Sequence, residues 1–247
     1  ALVLLYFAMK PGTSRPEPDR KVQEVNTSSQ DDEPAYITGE PEPLLRSPLE
    51  GVSVSTGLDE NGSVYYTVTD SSGLPLLDRS YIGVTTDACD FSQGLAFVRQ
   101  RPAQITDEKY ANSCGKKKTS RNYYSETVFT YEKDSFWFDV YFRAYENGFA
   151  YRFGIRTKDN EETQLAVTAE TGSFSIPSKS VITAELISDV SKKFCYETTY
   201  SEKTVEWLSR IRSKYVCFPA LAAIADQNGA PSGKYLRLSE ADMVTCP

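Results

Sequence analysis

The stretch FWFDVYFRAYENGFAYRFGI, residues 136–155, decides the fold class. Phe136, Phe138, Val140, Phe142 and Ala144 alternate with Trp137, Asp139, Tyr141, Arg143 and Tyr145. Alternation with a period of two puts the apolar set on one face of a β-strand. Asn147-Gly148 follows, a pair that tolerates positive φ and is the strongest short-range hairpin signal. Phe149, Tyr151, Phe153 and Ile155 then resume the alternation. With Asn147 and Gly148 as the two loop residues, Phe142 lies opposite Phe153 and Val140 opposite Ile155. Such cross-strand pairs contribute roughly 0.2–1 kcal/mol each. The same register sets Asp139 against Arg156, which is favourable, and Arg143 against Arg152, which is not. Two facing arginines require a carboxylate or open water, and Glu126 is the candidate carboxylate.

Working outward, the pattern stays β. Val52, Val54 and Leu58 alternate with polar residues, Asn61-Gly62 makes a turn, and residues 64–68 return as a strand. Ser71-Ser72-Gly73 is a second turn. Further short strands are expected at 74–77, 81–85, 95–99, 123–131, 163–169, 181–187, 215–225 and 235–238. Their spacing is that of an antiparallel β sandwich. The exception is 202–211, where Val205, Leu208 and Ile211 fall on one face at helical spacing. Upstream, Lys10 to Ser47 is rich in Pro, Ser, Thr, Asp and Glu and poor in large apolar residues, so residues 10–47 are expected to be a disordered linker. Residues 1–9 begin with the apolar run ALVLLYFA, too short to span a bilayer. It is expected to be a remnant of a secretory signal, the alternative being an N-terminal strand. The folded domain is then 48–247.

Composition narrows the chemistry. The chain has 247 residues, 40% of them hydrophobic, so a large core is possible, and its net charge of −7 argues against nucleic acid as a partner. The run Lys116-Lys117-Lys118 is too short to change that and is read as a solvated turn. There is no histidine, which removes histidine acid–base catalysis, histidine-activated nucleophiles and histidine metal ligands. The five cysteines (Cys89, Cys114, Cys195, Cys217 and Cys246) are widely spaced, without the close pairs of zinc or redox motifs. Two carboxylates at a suitable separation can hydrolyse a glycosidic bond, but no pair stands out by spacing.

Six stretches, in order, resemble the N-terminal domain of glycoside hydrolase family 97. They are Ser47-Pro48 with Gly51 to Gly83; Asp90-Phe91-Ser92-Gln93-Gly94-Leu95; GKKKTSRNYYSE at 115–126; FRAYENGFAYRFGI at 142–155; Tyr196-Glu197-Thr198-Thr199-Tyr200; and Phe218-Pro219-Ala220-Leu221 followed by Leu238-Ser239-Glu240-Ala241-Asp242. The resemblance implies an all-β fold, an antiparallel β supersandwich similar to galactose-mutarotase-like domains. It implies a C-terminal (β/α)8 barrel as partner, an α-linked oligosaccharide as substrate, and export to the periplasm or beyond. It also implies one glutamate given to a calcium ion (Ca2+) at the barrel's mouth. That glutamate is Glu197 here; Glu202 and Glu240 are the nearest alternatives. A carboxylate suits calcium, which takes six to eight oxygens. The resemblance further implies that the 48–247 domain is incomplete at its C-terminus, stopping before the last strands of family members and before the barrel. Their acid and base lie in that barrel, so this chain is not expected to be catalytic alone.

Arg121, Asn122 and Glu240 are the candidate substrate contacts. The stretch departs from the family at Tyr123, where histidine is usual. Glu126 is read as structural, the partner of the Arg143–Arg152 pair, because buried charges are normally paired. Two other functions compete: a free-standing carbohydrate-binding or structural β sandwich, and an aldose epimerase. The epimerase is disfavoured because such enzymes use histidine as acid.

Overall fold

The computed structural model describes residues 2–5, 35–159, 163–187, 199–211 and 215–241. They are almost wholly antiparallel β, as expected. In chain order the strands are β1 (Leu2–Leu5), β2 (Leu44–Arg46), β3 (Val52–Leu58), β4 (Val64–Asp70), β5 (Pro75–Ile82), β6 (Val84–Thr86), β7 (Ala96–Ala111) and β8 (Thr119–Lys133). Then come β9 (Phe136–Tyr145), β10 (Gly148–Thr157), β11 (Val167–Glu170), β12 (Val181–Ile187), β13 (Tyr200–Thr204), β14 (Tyr215–Val216), β15 (Ala220–Ala225) and β16 (Pro231–Ala241). A single helical turn and a half, α1 (Val205–Arg210), follows β13.

A ten-stranded sheet runs β13-β12-β15-β16-β1-β10-β9-β8-β7, with β14 also on β12. A four-stranded sheet, β2-β3-β4-β5, covers part of one face, and β6 and β11 form a small pair. The two sheets meet through the residues that the alternation placed inward. Val54, Val64, Tyr66, Leu77 and Ile82 come from the small sheet, and Phe138, Val140, Phe142, Phe149 and Tyr151 from β9 and β10. Tyr66 joins them: its ring lies 5.2 Å from that of Phe149, 5.5 Å from Tyr151 and 6.4 Å from Phe142. Its hydroxyl donates to the Ser173 carbonyl at 3.0 Å, so the one polar atom brought into the core is satisfied. Burial, reinforced by the neighbouring Tyr151, pushes the Tyr66 hydroxyl well above the ordinary phenol value, and it stays protonated.

Three hairpins use one local recipe. In Asp59-Glu60-Asn61-Gly62-Ser63, the Asp59 Oδ1 accepts the Asn61 and Ser63 amides at 2.9 and 2.8 Å, and the Gly62 amide donates to the Asp59 carbonyl at 3.0 Å. Asp70 to Leu74 and Asp226 to Ala230 repeat these bonds. The glycine of each has φ between +71° and +82°, which only glycine adopts without strain. Asp90-Phe91-Ser92-Gln93-Gly94-Leu95 is a related structural device. Asp90 Oδ1 accepts the Ser92 amide at 2.9 Å and the Thr85 hydroxyl at 3.1 Å. Lys133 Nζ donates to the Asp90 and Gln93 carbonyls. Phe91 is fully buried and stacks on Phe138 at 5.3 Å.

The hairpin at 136–157 differs from expectation by two residues. Tyr145 pairs with Gly148, so the loop is Glu146-Asn147; Phe142 faces Tyr151, and Val140 faces Phe153. A shift of two preserves every side chain's face, so the apolar pattern cannot choose between these registers. The turn chemistry chooses. Tyr145 stands where the other three turns have Asp, and Asn147 is not at positive φ. Glu146 instead binds a neighbouring turn. Its Oε1 accepts the Leu49 amide at 2.6 Å, and its Oε2 accepts the Gly51 amide at 3.2 Å and the Ser47 hydroxyl at 3.3 Å. Gly51 is required there, because a Cβ would lie 2.4 Å from the Glu146 carbonyl oxygen. Arg143 therefore faces Ala150 rather than Arg152, while Asp139 faces Gly154 and reaches Arg156 diagonally, with Nε to Oδ2 at 2.9 Å.

Other boundaries also move. The linker expected over 10–47 ends earlier: β2 carries buried Leu45, and Ile37 and Gln100 exchange backbone hydrogen bonds of 2.9 and 2.8 Å. The Gln100 side chain also accepts the Glu42 amide and donates to the Glu42 carbonyl, replacing the apolar contacts that this segment lacks. Leu2–Leu5 pairs with β10 and β16, the N-terminal-strand alternative. The helix is shorter than 202–211 because Glu202 and Lys203 pair with Thr183 and Ile182 in β13. Thr204 caps the helix, its hydroxyl accepting the Trp207 amide at 3.2 Å. The 215–225 strand divides at a cis Phe218-Pro219 bond into β14 and β15. Strand β7 extends well past Arg99, its register slipping between Arg101 and Gln104, around Pro102. Proline lacks a ladder donor and is tolerated at such bulges.

Glu146→Ala removes a carboxylate that accepts two amides and a hydroxyl. Hydrogen bonds to charged groups contribute about 1.5–3 kcal/mol. Chemical denaturation is expected to show a loss of about 2 kcal/mol in this variant, with an unchanged slope.

Candidate functional site

The outer face of β7 to β10 carries charged and aromatic side chains, laid out by the same alternation that sends Phe138 and Phe142 inward. Glu126 on β8 sits between Arg101 on β7 and Arg143 on β9, with Arg143 Nε 2.6 Å from Oε2 and Arg101 Nη2 on Oε1. Glu126 is thus the structural carboxylate expected, but its second partner is Arg101, not Arg152. The register sets Glu126 directly against Arg143. Burial is the largest single influence and weighs against the Arg143 charge, but the hydrogen bond and charge of Glu126, with Tyr124 and Tyr145, together outweigh it, so the guanidinium is held above its ordinary value. Arg143 lies over Tyr124 at 4.4 Å, and Arg152 over Tyr141 at 4.1 Å. Arg156 and Lys158 lie over Trp137. Cations thus occupy the aromatic faces that could otherwise stack on a sugar.

Among the described residues, β8 beyond Tyr124 pairs only with β7, because β9 ends at Tyr145 opposite Tyr124. Residues 107–111 and 119–123 therefore form a two-stranded arm. Arg121 and Asn122 lie on this arm. Arg121 binds Asp107 bidentately at 2.6 and 2.7 Å, and the Asn122 amide donates to Glu108. Arg121 is exposed and Asn122 half-buried, and both are already partnered across the arm. Nothing brings them to Glu126, four or more residues along the strand. The Lys116-Lys117-Lys118 run is exposed in the connecting loop, as expected.

Glu197 lies outside the described residues, between the end of β12 and the start of β13. Glu240 lies on β16, paired through its backbone with Val3. The pairing order makes β12 and β16 parallel, so Ile187 and Ala241, at their ends, lie toward the same pole of the sheet. Among the described residues no three His, Cys, Asp or Glu side chains gather as a metal site. Cys89, Cys114 and Cys217 are free thiols. No described helix is long and apolar enough to cross a membrane. Sequence reasoning missed Arg101, Asp107, Glu108 and Glu146. Each needed the β7–β8 or loop register, which the sequence pattern does not fix.

An antiparallel supersandwich with this order of motifs defines a class of accessory domain in carbohydrate-active enzymes. The sequence matches the family described as "Glycosyl-hydrolase 97 N-terminal" over residues 45–247, and the chain belongs to that family. No curated protein matches it. Among solved structures, a β-arabinopyranosidase is similar at 19% identity and a TM-score of 0.69, over 82% of this chain and 32% of that one. A glycoside hydrolase family 97 enzyme from Pseudoalteromonas sp. strain K8, in complex with acarbose, is similar at 17% identity and a TM-score of 0.61, over 75% of this chain and 27% of that one. The same enzyme's E480Q form in complex with panose gives the same values. The chain thus spans about a third or less of each of these proteins, and the likeness at this identity is one of fold.

Glu126→Ala leaves Arg101 and Arg143 facing each other half-buried. A loss of about 2–3 kcal/mol is expected in denaturant titration, the range for a removed charged partner. Arg121→Ala is expected to leave the midpoint unchanged, because exposed ion pairs contribute little.

Proposed function

We propose that the chain is the non-catalytic N-terminal domain of an exported, calcium-dependent exo-α-glycosidase. It packs on a following (β/α)8 barrel and contributes Glu197 to a calcium ion at the barrel's mouth. Family membership over 45–247 carries this reading, and the segment Tyr196-Glu197-Thr198-Thr199-Tyr200 supports the glutamate's assignment. Export rests on the family resemblance alone, since the run read as a leader remnant pairs as β1.

The donor chemistry fits a shared site rather than a complete one. A carboxylate is the hard oxygen ligand that calcium prefers, yet one carboxylate leaves most of its six to eight positions unfilled. The rest of the shell must come from the barrel. The role of this domain is then to hold one anionic ligand at a fixed distance from the barrel, on a connection between two strands of a ten-stranded sheet. When bound, the ion would orient and polarise substrate oxygens. Of the carboxylates on the outer face of the large sheet, Glu126 and Asp139 are already paired with arginines.

The test is a calcium titration of activity after chelation, in the polypeptide extended through the barrel, wild type beside Glu197→Gln. Gln keeps the shape and one oxygen but loses the charge. The variant is expected to need at least tenfold more calcium and to lose activity with it, with an unchanged circular dichroism spectrum. Superimposed curves would move the ligand to Glu202, exposed on β13, or to Glu240 on β16. The 247-residue chain alone is expected not to hydrolyse nitrophenyl α-glucoside or α-galactoside.

A further inference from the structure

Asparagine is followed by glycine at 61–62, 147–148 and 228–229. Such a step can modify itself. The glycine's backbone nitrogen attacks the asparagine side-chain carbon, a C–N bond forms, and ammonia leaves a succinimide ring. Water then opens the ring at either carbonyl, giving aspartate or isoaspartate, with no electron transferred. Glycine makes the attack easiest because it has no Cβ in the way. In a folded chain two further conditions apply. The glycine nitrogen must be open to solvent base, and the Asn–Gly peptide must rotate until that nitrogen meets the side-chain carbon.

The structure separates the three steps. Gly148 is buried at the start of β10, opposite Tyr145, so its nitrogen is closed to solvent. The turn at 59–63 exposes Asn61 but is clamped from outside. The Gly94 amide donates to the Asn61 carbonyl at 2.8 Å, and the Leu95 amide to the Gly62 carbonyl at 3.0 Å. The packing is close: a Cβ on Gly62 would lie 2.7 Å from the Leu95 carbonyl oxygen. Rotating that peptide breaks the clamp and drives it into Leu95. The turn at 226–230 repeats the internal bonds, with the Gly229 amide on the Asp226 carbonyl at 3.0 Å and Asp226 Oδ1 accepting the Asn228 and Ala230 amides at 2.8 Å. It lacks the clamp. Among the described residues no backbone amide donates to the Asn228 or Gly229 carbonyl, and both residues are exposed. The nearest neighbour of Gly229 is the flexible stem of Lys179, 3.3 Å from where a Cβ would stand. Freeing the nitrogen here takes only a local opening at a hairpin tip.

We infer that Asn228 is a site of spontaneous modification, turning to isoaspartate and aspartate in the folded protein while Asn61 and Asn147 stay intact. Isoaspartate places the former side-chain methylene in the backbone, so Asp226 Oδ1 no longer meets the amides of 228 and 230 at their present spacing. Either product sets a second carboxylate beside Asp226. This turn joins β15 to β16, and Lys234 on β16 reaches Asp70 Oδ2 of the small sheet at 3.2 Å. The change thus loosens the hairpin end that ties the two sheets together.

The test is peptide mapping by mass spectrometry of the 247-residue chain held at mildly alkaline pH, beside the same chain in urea. In urea all three Asn–Gly steps are expected to convert at similar rates. In the folded chain the Asn228 peptide is expected to convert at least about tenfold faster than those holding Asn61 or Asn147, because only its turn opens locally. Its product is isoaspartate that an isoaspartyl methyltransferase labels. Asn228→Ser is expected to abolish that labelling with an unchanged circular dichroism spectrum. An Asn228 that stays intact in the folded chain, or conversion of Asn61 or Asn147 at the same rate, overturns the inference.

Discussion

Tyr66 closes the two sheets on each other. Its ring meets Phe142, Phe149 and Tyr151, which the hairpin of β9 and β10 presents as a single apolar face. The small sheet has no other way to bury its inner residues, because four short strands with one apolar face are not stable alone in water. The large sheet is equally dependent, since only half of its breadth is covered by its own outer layer of ion pairs. What the hairpin supplies is therefore a template: inward rings for the core, outward charges for the second face. Glu146 at its turn then ties down residues 47–51, the turn between β2 and β3 of the small sheet.

Much of this was legible in the sequence. The alternation at 136–155 gives the strands, their faces and the members of the core without ambiguity, because a strand's side-chain period is two. The alternation at 235–238 likewise assigns Leu236 and Leu238 to the core and leaves Tyr235 and Arg237 outside. What the pattern could not give was register. Sliding one strand by two residues costs the apolar pattern nothing, and the decision fell to Glu146, whose partners at Leu49 and Gly51 lie about a hundred residues away. The same reason hid Arg101 as the second partner of Glu126. The strand expected at 95–99 runs on to Ala111, because a bulge around Pro102 lets it continue. Residues 35–47 looked too polar to pack, but they dock through backbone and Gln100 hydrogen bonds rather than apolar area.

The candidate site was legible in a different way. Arg121 and Asn122 stood out as polar residues beside tyrosines, and the structure gives each a partner across the arm. Glu197 came from an ordered set of motifs rather than from any local physical signal, since a lone glutamate in a polar stretch is ordinary. Under the proposed function the domain presents a group to another part of an enzyme, while Glu126 and Asp139 are committed to arginines and Asp70 to the Ser72 and Leu74 amides and Lys234.

The central claim is that the β9–β10 hairpin and Tyr66 form the cooperative core, and that the arm at 107–123 is an appendage to it. Native-state hydrogen exchange measures this directly. The account predicts that amides of β4, β9 and β10 exchange only through global unfolding, with one shared free energy that follows denaturant, while arm amides beyond Tyr124 exchange through local opening at far lower free energy. Arm amides protected as strongly as those of β9, or a β9–β10 hairpin that opens before the rest of the sheet, would contradict it.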